Sequence, residues 1–438
     1  MTMLVSAAAF ARPPTNWSLA QAVDYAIDNN PEIQLTLERM AAARAMTEVA
    51  SSATLPTISL QSEYSQTDNP MHSFGNLLNQ GAFDNSIDFN DPGRTDDLAL
   101  QTMLAYRLYD GGRRTAGVAQ ARAEKQAAEH RLAAAHQQLA YEVVRSYYAI
   151  LKAEEMVKVH NGALAAIEAS LAVGKARYAE GDLLKADLLN LELQQARAVE
   201  NSLNGQHRRD LAEKVFWNLL GSVANQPSSL PHLVEKQAPP TRLDHSARTE
   251  LAVADDSIAA ARAGLVIAQG AKRPVVDTYA SYRYDYGTVL GESGDSWQAG
   301  VRLNYDLYDG HRTEAGIAAA RARLAEMRAA KAKLELDLDL ELQQAKIRYS
   351  QSVERLQVTA RMVRVAQESA RLSRQRFREG TLLAAELIDR EMRLTDALAR
   401  QATAGTDNRI AIANLRRATG SGQFERMEKE RLRQETPR

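Results

Sequence analysis

From residue 275 to 308 the chain alternates between apolar and polar side chains. Val276, Thr278, Ala280, Tyr282, Tyr284 and Tyr286 are interleaved with Asp277, Ser281, Arg283 and Asp285, and only Tyr279 breaks the period on the polar side. A second stretch sets Trp297, Ala299, Val301, Leu303, Tyr305 and Leu307 against Gln298, Arg302, Asn304 and Asp306. Successive side chains of a strand point to opposite faces, so both stretches predict strands with one apolar and one polar face, over about 275–286 and 297–308. The same pattern predicts strands at about 57–66 and 98–109, joined by a loop rich in Asn, Asp and Gly that should face outward. Ten-residue strands with aromatics near their ends fit the wall of a membrane barrel better than a soluble hairpin.

Elsewhere the period lengthens to that of helices. Arg113 to Glu180 holds no proline, and such a helix would run roughly 100 Å. Val353, Leu356, Ala360, Val363, Gln367 and Ala370 keep a coiled-coil spacing, with a second row at Met362, Ala366, Ser369 and Ser373. A helix with seams on two flanks packs between two neighbours, as in the wall of a helical tube. The pattern breaks at Gly181 and Gly380, which predicts left-handed turns of two helical hairpins.

The chain is written twice. "YRLYDGGRRTAG" at Tyr106 to Gly117 returns as "YDLYDGHRTEAG" at Tyr305 to Gly316, an offset of 199 residues that also aligns Gly181 with Gly380 and Gly221 with Gly420. Upstream, Asn30 to Ile33 aligns with Arg248 to Leu251 at an offset of 218, so the first copy carries 19 extra residues between Pro56 and Tyr106. Each copy reads helix, strand, strand, long helix, turn, long helix. The organisation expected is a short export-signal remnant at 1–16, a first repeat at 17–221 with its helical hairpin at 113–221, and a Pro-rich linker at 222–247. A second repeat follows at 248–420 with its hairpin at 312–420, then a charged tail at 421–438. The signal reading rests on a short apolar run followed by Ala9-Phe10-Ala11 before Arg12.

Composition narrows the chemistry. Among 438 residues there are only 7 Phe and 3 Trp and no Cys, which suits thin helical seams and excludes disulfides and thiolate metal sites. Lys and Arg (54) are balanced by Asp and Glu (55) and interleaved with them, so no basic face exists for a nucleic acid. No phosphate-binding loop, metal-spaced His pair or nucleophile elbow appears, so no catalytic residue, metal ligand or cofactor is expected and the chain is not expected to be an enzyme. Any work must come from a partner.

Four strands cannot close a barrel, and open strand edges are not tolerated in lipid. Three copies supply twelve strands, which makes a homotrimer the economical solution.

Taken together, "NPEI", "LYDGGRR" with "LYDGHR", "RYAEGDLLKADLL" with "RFREGTLLAAELID" and the duplication resemble the TolC-type outer membrane efflux proteins over about residues 17–421. The resemblance implies a mostly α fold with a membrane β-barrel: a trimeric twelve-stranded barrel continued by a long α-helical barrel. It implies an exit duct of a tripartite efflux pump or type I secretion system, in the outer membrane of a Gram-negative bacterium and reaching into the periplasm. The partners implied are outer membrane lipid, a periplasmic adaptor and an inner-membrane transporter. Gly181 and Gly380, with Arg177 and Arg376 one turn before them, would face the adaptor. Glu386 and Asp389 fall at the family's acidic constriction, and Asp187 at its locking acid. The Tyr and Arg that usually hold that acid are replaced here by Phe377 and Leu382, so a closed state would need other contacts, such as Arg376, Arg378 or Arg390. The alternative reading is a periplasmic coiled-coil adaptor or scaffold, which leaves the Tyr-rich strands unexplained.

Overall fold

The computed structural model describes residues 18–221, 230 and 237–424, so the expected signal remnant and most of the linker and charged tail lie outside the described residues. The chain contains α1 (Leu19–Asn29), α2 (Pro31–Ser52), β1 (Thr57–Thr67), α3 (Pro70–Asn79), β2 (Thr95–Tyr109), α4 (Arg113–Ala179) and α5 (Lys185–Leu219). The second half adds α6 (Thr249–Gly270), β3 (Val275–Tyr286), β4 (Ser293–Asn304), α7 (Arg312–Arg378) and α8 (Ala384–Ala418). The duplication is reproduced to the residue: α4 and α7 have 67 residues each, α5 and α8 have 35, and α2 and α6 have 22. No described helix is long and apolar enough to cross a membrane.

Two compact units form, and each repeat contributes to both. One spans Met40–Ala128 and Val253–Lys331. Its centre is an antiparallel sheet in the order β1-β2-β3-β4, with Leu100 opposite Tyr284 and Tyr282 opposite Trp297. Ile58, Leu60, Tyr64, Leu98, Leu100, Tyr282, Tyr284, Trp297, Val301 and Leu303 share one face, and all are exposed. A soluble sheet would cover such a face; here it is left bare across all four strands. On the opposite face Arg107 pairs with Asp277 at 2.8 Å. Tyr279, the exception to the alternation, lies over Gly300, where an added Cβ would come within 2.8 Å of its hydroxyl, and the Arg302 guanidinium stacks 5.4 Å from its ring. The missing side chain of Gly300 makes room for the ring on the polar face.

One strand expectation and one loop expectation need correction. β4 runs from Ser293 to Asn304 rather than 297–308, because β3 begins at Val275 opposite Asn304 and offers no further partner to Tyr305–Tyr308. By contrast β2 continues to Tyr109, held against Val276 through an irregularity after Arg107. The stretch joining β1 and β2 is not all loop. Asn69 accepts hydrogen bonds from the Met71 and His72 amides and Pro70 takes the first helical position, which starts α3.

The repeated Tyr-Asp-Gly motif is a strand-to-helix joint. Asp110 accepts hydrogen bonds from the Gly112 and Arg114 amides at 3.1 and 2.9 Å, and Asp309 accepts one from Thr313 at 2.9 Å. Each carboxylate thus caps the free N–H groups that open α4 or α7. Gly111, at φ +72°, passes so close to the Gly270 carbonyl that a Cβ would lie 2.6 Å from it. Only glycine fits that crossing.

The second unit comprises the described residues of Met1–Arg39, Glu129–Ala252 and Ala332–Arg438. Its core gathers Leu19, Val23, Ile33, Val143, Tyr147, Tyr148, Ile150, Phe216 and Leu220 from α1, α2, α4 and α5. Phe216 stands 6.1 Å from the Tyr147 ring and 5.4 Å from Trp217, and full burial of one such ring is worth about 2–3 kcal/mol. Along α7 the expected seam is covered at Val363 and Ala370, whereas Val353 and Met362 remain exposed. A different stripe, Leu336, Leu340, Ile347, Val358, Val365 and Leu372, lies along one face of the helix, and all six side chains are exposed.

His136 of α4 is pushed below its ordinary pKa by burial, against a smaller opposing pull from Asp28. Below about pH 6.5 the unfolded chain takes up the proton more readily than the folded one, so this contribution is full above that pH and is lost as pH falls through it. His136→Gln should flatten the decline in denaturation midpoint between neutral and mildly acidic pH, read by tryptophan fluorescence. An unchanged slope would contradict the assignment.

Candidate functional site at the hairpin tips

Both helical hairpins turn the same way. At the first, Asp182 donates its N–H to the Arg177 carbonyl (2.8 Å) and Gly181 to Tyr178 (3.1 Å); at the second, Thr381 donates to Arg376 (2.9 Å) and Gly380 to Phe377 (3.2 Å). Gly181 and Gly380 sit at φ +86° and +77°, the left-handed position this paired-bond termination requires. The chain then extends through Leu184 and Leu383, which start α5 and α8 without any side-chain cap. Asp187 and Glu386 fall in these uncapped first turns, where a carboxylate answers the positive end of the helix.

An apolar cluster joins the two tips: Ile167, Leu171, Leu188 and Leu191 from the first hairpin, Phe377, Ala384, Leu387 and Ile388 from the second. Phe377 is fully buried there. Arg177 bridges the hairpins, donating to the Phe377 carbonyl and to the Asp182 carbonyl at 3.0 Å each while its guanidinium stacks 5.2 Å from the Phe377 ring. One planar fork therefore ties both turns together.

The acidic residues do not behave alike. Glu386 is exposed and makes no hydrogen bond or ion pair among the described residues. Asp389, one turn on, accepts a hydrogen bond from Arg393 at 2.8 Å, with Arg390 at 4.0 Å. Asp187 is half-buried and makes no ion pair among the described residues; Arg376, Arg378 and Arg390 do not reach it as salt-bridge partners. Sequence reasoning missed a stronger pair: Arg374 on α7 grips buried Glu391 on α8 through two hydrogen bonds of 2.5 and 2.7 Å. These hydrogen bonds, outweighing partial burial, raise the Arg374 pKa above its ordinary value. Arg374 lies six residues before Gly380 and Glu391 eleven after it, so no spacing in the sequence singled the pair out. Behind the tip a cavity of about 320 Å³ is lined by His160, Ile167, Gln194, Met392 and Asp396; burial, with Arg208 adding, lowers the His160 pKa. No group of three or more His, Asp or Glu side chains among the described residues could hold a metal.

The outer membrane efflux protein family matches this chain over residues 22–222 and 245–421, both repeats together. A curated relative, Protein CyaE of Bordetella pertussis, is 27% identical over 328 residues, covering 71% of this chain and 65% of its own length. The chain thus spans less than two thirds of that relative. Among solved structures, the outer membrane protein VceC from Vibrio cholerae superposes with a TM-score of 0.81 at 18% identity, covering 94% of this chain and all of its own. The CmeC outer membrane channel of Campylobacter jejuni gives 0.82 at 13% identity over 95% of this chain and 88% of its own. At these identities the likeness is one of fold: a β-barrel with an α-helical barrel.

Arg177→Ala should unlock the tips, raising amide exchange at 181–184 and 377–382 without altering exchange around Phe216. Arg177→Lys, whose single ammonium cannot span both carbonyls in the same geometry, should restore only part of the protection. Equal protection in all three proteins would contradict the bridge.

Proposed function

Since the chain belongs to the outer membrane efflux protein family, we propose that it forms, as a homotrimer, the outer membrane exit duct of a tripartite efflux pump or type I secretion system. The observation that carries the reading is the four-stranded sheet with a bare apolar face and two unpaired edges. Lipid covers such a face, and only closure with further copies satisfies the edges. The exposed apolar stripe on α7 supports the same assembly, giving each protomer a second seam for a neighbour. A periplasmic adaptor or scaffold has no use for the lipid-facing sheet, and the family match spans both repeats.

The duct is passive; its partners, a periplasmic adaptor and an inner-membrane transporter, supply substrate and energy. The adaptor meets the hairpin tips around Gly181 and Gly380, with Arg177 and Arg376 one turn behind. Three copies of Glu386 ring the entrance and draw cations toward it, because a ring of like charge in a narrow, low-dielectric passage concentrates the opposite sign. Asp389 contributes less, since Arg393 already answers its charge. Asp187 is left for a partner on a neighbouring protomer, which is how the closed state replaces the lock that Phe377 and Leu382 do not supply.

Single-channel recording in a planar lipid bilayer tests this. The purified protein should give discrete cation-selective steps, and Glu386→Gln should lower the cation preference by roughly twofold, more than Asp389→Asn does. Selectivity untouched by either change would remove the acidic entrance, and a folded, detergent-soluble trimer that never conducts would contradict the duct.

A further inference from the structure

The 19-residue excess of the first repeat encodes α3, and α3 folds back onto the polar face of the sheet. Its inward-facing positions, Ser73, Leu77 and Gln80, are almost wholly buried. Ser73 donates to the Thr67 carbonyl (3.2 Å), and Asn76 donates to the Thr95 hydroxyl (3.1 Å). The Gln80 amide donates to the Asp96 carbonyl at 2.7 Å and to the Asp97 carboxylate at 3.3 Å. Two glycines make the seat: a Cβ on Gly287 would fall 2.1 Å from the Gln80 side-chain oxygen, and one on Gly294 would fall 2.1 Å from the Asn79 carbonyl oxygen.

Burial fixes which face is covered. At this end of β2, Ala99 is 4% exposed while its neighbours Leu98 and Leu100 on the lipid face are 40% and 44% exposed. Asp285, also on the polar face, is 1% exposed and held by Arg283 at 2.6 Å, which reaches Asp97 at 2.9 Å as well. The helix therefore sits over the lumenal side of the strand ends that carry the turns, remote from the ends joined to the long helices.

Resting on the duct reading above, we propose that α3 is a second constriction, at the outer mouth of the barrel, which sets the size of solute that can cross there. Twelve strands about 4.8 Å apart and tilted by about 40° enclose a backbone circle roughly 24 Å across. Three helices of roughly 10 Å diameter each, one per protomer, nearly fill such a circle. The α3 surface turned away from the strands carries exposed Met71 and Leu78, so the three copies present apolar side chains to the opening. A helix held by the hydrogen bonds of Ser73, Asn76 and Gln80 and by no covalent cross-link suits an element that narrows the mouth and yields to outward traffic.

The chain has no cysteine, so Ser281→Cys, on the lumenal face below α3, reports access from outside in intact outer membranes. The reagents are a small charged maleimide and a long polyethylene glycol maleimide. In the otherwise native chain the small reagent should label promptly and the polymer slowly. Deleting residues 70–88, or the milder Gly294→Val that pushes on the Asn79 backbone, should speed the polymer roughly tenfold and leave the small reagent unchanged. Polymer labelling at the same fast rate in all three proteins would overturn the constriction while leaving the duct intact. Failure of even the small reagent to label any of them would overturn the duct reading and the constriction together.

Discussion

A strand edge in lipid has nothing to bond to, and the rest of this structure follows from that. The sheet ends on one side at β1 and on the other at β4, each presenting a row of amides and carbonyls to a medium that cannot solvate them. In the proposed duct lipid covers the bare apolar face, and lipid forbids the edges. Closure through copies of the same chain meets both demands at once, and the twelve-stranded ring is a consequence of four strands per chain rather than a separate feature.

The duplication serves that closure. Two hairpins per chain need two joints between strand and helix, and the chain uses the same device twice, an aspartate capping the helix beside a glycine that turns the backbone. The long helices then carry more apolar surface than one protomer can bury. The α7 stripe from Leu336 to Leu372 is bare in the single chain, so the same shortage of partners that affects the sheet recurs in the helices. At the tips the opposite holds. Phe377, Arg177 and the Arg374–Glu391 pair are held by contacts within the protomer, while Glu386 and Asp187 make no ion pair among the described residues. Structural contacts close inside the chain, and the groups proposed to meet ions or neighbours stay open.

Much of this was legible in the sequence because it rests on period and repetition. Alternation located the four strands, the absence of proline located α4, and two constant offsets paired helices that match to the residue. What was not legible depends on partners distant along the chain. The end of β4 is set by where β3 begins, and Tyr279 is explained only by Gly300 across the sheet. The helix α3 carried a local signal, Asn69 before Pro70, that the surrounding polar residues masked. Glu386 and Asp389 looked equivalent as neighbours on one helix face, and only the position of Arg393 separates them. The Arg374–Glu391 pair joins residues six before and eleven after Gly380, and only the packing of α7 against α8 brings them together.

The most direct test of the account is covalent capture of the β1 to β4 edge. Because the native chain lacks cysteine, one cysteine at Ser59 or Gln61 and one at Ser296 or Gln298, all on the lumenal face, can be oxidised in the membrane across successive registers. The account predicts that one register yields a ladder of dimer and trimer that stops at the trimer. No capture in any register, or a ladder that runs past three, would contradict it.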